Sequence, residues 1–155
     1  MQPADRLVTR NFVLGTYATQ EAIDADDGSS YFHAHHNFFA YGARGLKSYL
    51  GGHDNRHENN VYAWVGECFS EVWTGNSTDS FVNNTCISSG DRDGFGSDCP
   101  KAVGHSMVIH GNAIYTRTGE LSDVKICDKT NHVAGRWPVA TEMVKMAKRA
   151  LGSFS

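Results

Sequence analysis

The sequence predicts an all-β chain wound as a parallel β-solenoid of about five coils and finished by a C-terminal α-helix. An Asn-headed apolar segment recurs along it: NFVLG from Asn11, NFFAYG from Asn37, NVYAWVG from Asn60, NTCISSG from Asn84 and NAIYTRTG from Asn112. The interval between successive copies is nearly constant. Shifted by one interval, two stretches align without a gap, setting Ile23 on Leu46, Gly28 on Gly51, Ala40 on Ala63 and Tyr41 on Trp64. The segments between turns are short and rich in aromatic and β-branched residues. Helical repeats need longer periods, of about 33–47 residues, and the chain lacks the frame of a leucine-rich repeat.

The coils follow in order over residues 5–130. DRLVTRNFVLG enters the first coil almost at once. Residues 22–42 form the second, whose Gly28 repeats as Gly51 in the third and Gly75 in the fourth. Stacked coils lie about 4.8 Å apart, so equivalent residues form columns. Asn suits an inward turn, because its amide can both satisfy turn backbone and bond to the next coil. VATEMVKMAKRAL (139–151) carries the helical pattern. Val139, Met143, Met146, Ala147 and Ala150 share one face, Pro138 and Glu142 lie early, Lys148 and Arg149 late, and Gly152 stops it. This helix is expected to cover the open downstream end of the coils. The bare first coil is expected to need further coils upstream, a cap, a partner or self-association.

A length of 155 residues fits one domain, spanning 1–155, and 40% hydrophobic residues can build its core. A net charge of −3 with no basic run argues against nucleic-acid binding, and no apolar stretch is long enough to span a membrane. No signal segment follows Met1, so the chain reads as intracellular or as the later part of a longer secreted protein. Cys99 and Cys127 are separated by the same interval as Asn84 and Asn112, which predicts a disulfide between adjacent coils. That leaves Cys68 with Cys86, which the register does not explain; Cys86–Cys99 and four free thiols are the alternatives. Asn76 and Asn83 head glycosylation sequons. Sequons with an even cysteine count favour a secreted or cell-surface location.

Two columns carry candidate chemistry. Four positions before the Asn stand Leu7, His33, Arg56, Ser80 and Val108; two before it stand Thr9, His35, Glu58, Val82 and His110. Strand parity puts both columns on one face. His57 falls with Ala34, Phe81 and Ile109 and reads as inward and structural. Asp24 and Lys47 form a candidate ion pair between coils. Asp24, Asp26 and Asp27 precede Gly28 and could hold Ca²⁺, or form a solvated turn. Tyr41 with Trp64, and Tyr49 with Trp73, make aromatic ladders that serve either as sugar-stacking surface or as packing.

The Asn-headed coils and the run HAHHNFFAYGARGLKSYLGGHDNRHENNVYAWVG resemble the right-handed parallel β-helix family of pectate-lyase-like and mannuronan-epimerase-like proteins. The resemblance covers roughly residues 5–128 and implies contact with an acidic polysaccharide, with lyase or epimerase chemistry as one outcome. Proton abstraction from a uronate then needs a base (His33 or His35), a proton donor (Tyr49) and a cation on the carboxylate (Arg56 or Lys47), with Glu58, Trp64 and Trp73 contacting substrate. The competing reading is a non-catalytic glycan-binding or structural subunit of an extracellular assembly.

Overall fold

The computed structural model describes residues 4–48, 51–71, 78–89, 95–96, 107–120 and 126–152. They form a parallel β-solenoid. Strands β1 (Arg6–Thr9), β3 (Phe32–His35), β5 (Arg56–Glu58), β7 (Ser80–Val82) and β9 (Val108–His110) stack as one sheet. The second sheet stacks β2 (Phe12–Asp24), β4 (Phe38–Ser48), β6 (Val61–Glu71), β8 (Thr85–Ser88), β10 (Ala113–Thr116) and β11 (His132–Arg136). Every pairing is parallel. Five rungs in the first sheet enclose four steps, so the predicted coil count is met within one turn.

The predicted Asn column lies at the corner joining the two sheets. Asn37, Asn60, Asn84 and Asn112 are fully buried, and Asn11 begins the column on an exposed rung. In each coil the residue before the Asn has a positive φ: Arg10 57°, His36 56°, Asn59 55°, Asn83 53° and Gly111 69°. The left-handed turn swings the chain from one sheet to the next and aims the Asn inward. For a non-glycine residue that conformation costs about 1–2 kcal/mol, offset here by the amide hydrogen bonds it makes possible. A second corner repeats the device at Gly15 (81°), Tyr41 (58°) and Trp64 (59°). Between the corners a bulge in β2 takes up the longer first interval: Thr16 pairs with Gly42, but Glu21 already pairs with Arg44.

The column has a sixth member. Asn131, fully buried, accepts from the backbone N–H of Asn112 at 3.0 Å and from its Nδ2 at 2.8 Å. Its interval of only 19 residues is shorter than that of every other rung, which hid it from a search for a regular spacing. A shorter polar column runs parallel to it, with Asn55 Oδ1 accepting from Phe32 N–H and Asp79 Oδ1 from Asn55 N–H.

Inside the coils an aromatic stack fills the lumen. Phe39 and Tyr62 lie 5.1 Å apart, Tyr62 and Phe81 5.3 Å, and Phe69 packs on both Phe81 and Phe95. Cys68 and Cys86 form a disulfide across this lumen, Cα to Cα 6.0 Å. A bond across the lumen rather than along a column is why the register could not explain it, and it rules out the alternative Cys86–Cys99. No described cysteine is free. Cys99 lies outside the described residues, so peptide mapping without reductant is the check on its partner: a Cys99–Cys127 peptide is expected beside Cys68–Cys86. Opening Cys68–Cys86 alone is expected to cost about 3 kcal/mol in a urea melt, for a closed loop of this size.

The C-terminal helix, α1 (Ala140–Leu151), forms where the pattern predicts it. Glu142 Oε2 accepts from Val139 N–H at 3.0 Å, Lys148 and Arg149 occupy the last turn, and Gly152 ends it at φ 85°. It covers the side of the solenoid rather than its end. Met143, Met146, Ala147, Ala150 and Leu151 pack on the outer face of the second sheet, against Phe38, Ala40, Val61, Ala63 and Ile87. Those outward positions are apolar and would otherwise meet water. Val139, expected on the packed face, is 63% exposed instead.

Candidate functional site

The outer face of the first sheet assembles the predicted histidine group. Register pairs His33 with Arg56 and His35 with Glu58 across β3 and β5. The side chains then link diagonally. The imidazole of His33 meets Glu58 through Nε2 and Oε2 at 3.0 Å, and its ring centroid lies 4.6 Å from that of His35. His35 Nδ1 lies 2.8 Å from Nδ1 of His36, the exposed left-handed corner residue, and 3.3 Å from Thr9 Oγ1. Partial burial, then the neighbouring His33 and His36, push the His35 pKa below the ordinary imidazole value. A proton on any one of these rings repels a proton on the next.

The exposed guanidinium of Arg56 pairs with the Asp5 carboxylate, so a ligand carboxylate would compete with Asp5 for it. The remaining predicted residues scatter. Lys47 lies one residue from the end of β4 in the second sheet, its backbone opposite Asp24 and Ser70. Trp64 stands at the second corner and turns its ring edge-on to Trp137, 5.1 Å away, whose Nε1 donates to Ser88 O at 2.9 Å. That places Trp64 in the packing beneath the helix, away from the histidines. Asp24 is exposed at the end of β2, and the backbone carbonyl of Asp26 accepts from Ser29 N–H in the Gly28 turn. Among the described residues no three His, Cys, Asp or Glu side chains converge to hold a metal ion. Asn83 is exposed at a corner. Tyr49, Trp73 and Asn76 lie outside the described residues.

A cleft borders the histidine group, and the sequence reading missed it. It holds about 360 Å³ between the Asn corner and α1, lined by His36, Asn59 and Asn83 on one wall and Tyr115, Met146 and Arg149 on the other. His36 belongs to both cleft and cluster. The column that could have revealed this wall stands one position before the Asn: Arg10, His36, Asn59, Asn83, Gly111. Its members share a backbone conformation rather than a chemistry, so no residue type repeats along it.

These features define a parallel β-solenoid with a histidine-rich outer face and a cleft of mixed polar and apolar lining beside its terminal helix. No protein-family model, curated protein or solved structure matches the chain.

Proposed function

We propose that this chain is an extracellular β-solenoid whose His33–His35–His36 corner and adjoining cleft contact an acidic polysaccharide. The observation that carries this reading is continuity: one exposed residue, His36, joins the imidazole cluster to a cleft that ends on the exposed Arg149. An acidic glycan presents carboxylates at regular intervals, and a line of imidazoles ending in a guanidinium meets such a chain along its length. The solenoid fold adds support, as does the resemblance of the Asn-headed coils to pectate-lyase-like and mannuronan-epimerase-like proteins. Contact without turnover fits the geometry best. A lyase or epimerase needs a cation on the substrate carboxylate, and Asp5 already holds Arg56 while Glu58 holds His33. His35, neutral to lower pH than an ordinary imidazole, is the group able to accept a proton in a catalytic variant of this reading.

Wild-type protein is expected to bind a uronate polymer more tightly at pH 5 than at pH 7.5. His35 gains its charge only as pH falls below the ordinary imidazole range. His35→Ala should weaken binding at pH 5 and flatten that dependence, while Arg149→Gln should weaken it at both pH values. A loss of about tenfold matches one charge-assisted hydrogen bond of roughly 1.5 kcal/mol. Absence of binding by the wild type, or binding unchanged in both variants, removes this reading; release of unsaturated product would establish lyase turnover.

A further inference from the structure

Two imidazoles meet nitrogen to nitrogen where the histidine cluster joins the cleft. His35 ends β3, and the left-handed corner at His36, φ 56°, sets the next ring against it. Their Nδ1 atoms lie 2.8 Å apart, with the ring planes at 89°. Between nitrogens at that distance there is room for one hydrogen, so one ring donates and the other accepts. Both rings are held in place. His35 stacks on His33, centroids 4.6 Å apart, and has Thr9 Oγ1 at 3.3 Å from the same Nδ1. The His36 backbone N–H donates to Glu58 O at 3.3 Å, which anchors the corner to the next rung.

The groups around the pair resist a full complement of protons. At His35, partial burial opposes the charged form, and so do His33 on its own strand, His36, and Arg10 from the corner after β1. Glu58, from β5, favours it, but His33 Nε2 already engages that carboxylate at 3.0 Å. His36 looks across the cleft to Arg149 of α1, with Tyr115 of β10 and the uncharged Asn59 and Asn83 on the walls. None of the residues lining this cleft is acidic. A first proton can be accommodated, because a charged ring donates from Nδ1 to its neutral neighbour. A second cannot, since both Nδ1 atoms then carry hydrogen and both rings are positive.

We infer that the His35–His36 contact is a proton-operated gate on the cleft, opened when a ligand carboxylate enters. With at most one extra proton on the pair, the rings stay joined and His36 lies against its own strand. The second proton parts them. His36 then turns across the cleft mouth, where its ring N–H and the Arg149 guanidinium meet one carboxylate from opposite walls. Without a ligand, that arrangement sets two cations facing each other across a cleft that holds no acid, so the closed form prevails. A uronate carboxylate removes the repulsion. Its binding therefore takes up a proton and, by linkage, tightens as pH falls. The identity of the ligand rests on the acidic-polysaccharide reading above; the behaviour of the pair in the free protein does not.

Imidazole nitrogen shifts of the free protein, followed by NMR against pH, are the first measure. His35 and His36 are expected to titrate as a coupled pair, in two steps at least about tenfold apart in proton affinity. His35→Phe keeps a ring against His33 and removes the nitrogen, so His36 should then titrate in one step near about 6.5. His36→Asn places at this corner the residue that Asn59 and Asn83 supply at the next two, and should leave His35 a single step. Calorimetry of a uronate oligomer in buffers of different ionisation enthalpy, at a pH between the two steps, reads the coupling. Uptake of about one proton is expected for the wild type and less than half of that for either variant. Independent single steps in the wild type, or uptake unchanged in both variants, overturn the gate. Coupled steps in a wild type that binds no uronate would overturn the acidic-glycan reading, and the carboxylate as opener, while establishing the proton-operated contact itself.

Discussion

Asn60→Ala is expected to destabilise the protein by about 4 kcal/mol, moving a urea midpoint by roughly 2 M at an ordinary slope. The Asn60 side chain accepts from Asn37 N–H and Nδ2, and donates to Ala34 O and Asn84 Oδ1. Truncation leaves a buried backbone N–H and a buried carbonyl unsatisfied, each at about 1–3 kcal/mol, and adds a cavity. No rotation of the neighbours restores them, because Asn37 and Asn84 are fixed by their own rungs. Asn11→Ala removes the same chemistry from an exposed rung that makes fewer bonds, and should cost about 1 kcal/mol. Equal losses at the two positions would mean that ladder amides contribute nothing beyond their local turns.

Acid is expected to unfold the protein through His57. This imidazole is wholly buried, its Nδ1 lies 2.8 Å from Tyr62 Oη, and its Nε2 meets no partner among the described residues. Burial, with a smaller push from His33, lowers its pKa to about 3. The folded state therefore binds fewer protons than the unfolded chain, whose imidazole titrates near about 6.5. Stability is unaffected by this group above that value and falls as pH drops from about 6.5 toward 3, at a slope of up to about 1.4 kcal/mol per unit. The accumulated loss is several kcal/mol. Tyr62, its own pKa raised by burial, stays protonated over this range and keeps its hydrogen bond with the ring. His57→Gln retains a hydrogen-bonding group for Tyr62 and does not titrate, so its urea midpoint should decline much less between pH 6.5 and 4. An identical decline in wild type and His57→Gln would place the acid sensitivity elsewhere.

The Asn column was legible because stacked amides demand the same residue at the same place in every coil. The inward His57 was legible for a related reason: Ala34, Phe81 and Ile109 share its column, and an inner face stays apolar around one exception. Where the chemistry did not repeat, the register carried less. The Cys68–Cys86 pair was reached only as the remainder once Cys99 was assigned to Cys127, because the two meet across the lumen and no count along the chain measures that distance. The face beneath α1 alternates apolar residues as an inner face does, so Phe38, Ala40, Val61 and Ala63 did not announce that a helix lies outside them. Of the predicted site, the strand register of His33, His35, Arg56 and Glu58 was readable from their offsets to the repeated Asn, and parity put them on one face. The pairing of Arg56 with Asp5 was not, since Asp5 precedes the first strand and belongs to no repeating column.

The bulge between Thr16 and Glu21 has a consequence for how such a chain changes over time. Its surplus residues leave the sheet register on either side of them unaltered, with Leu14 opposite Ala40 and Ile23 opposite Leu46. Length is thus a local variable in this architecture, uncoupled from the placement of everything that follows. Residues can be gained or lost between corners without renegotiating the lumen, and a new surface loop can be tried at one coil while its neighbours keep their shape. Substitution at a corner has no such latitude. Variation in lineages of this protein should accumulate as insertions in the spans between corners, with the corner asparagines held constant.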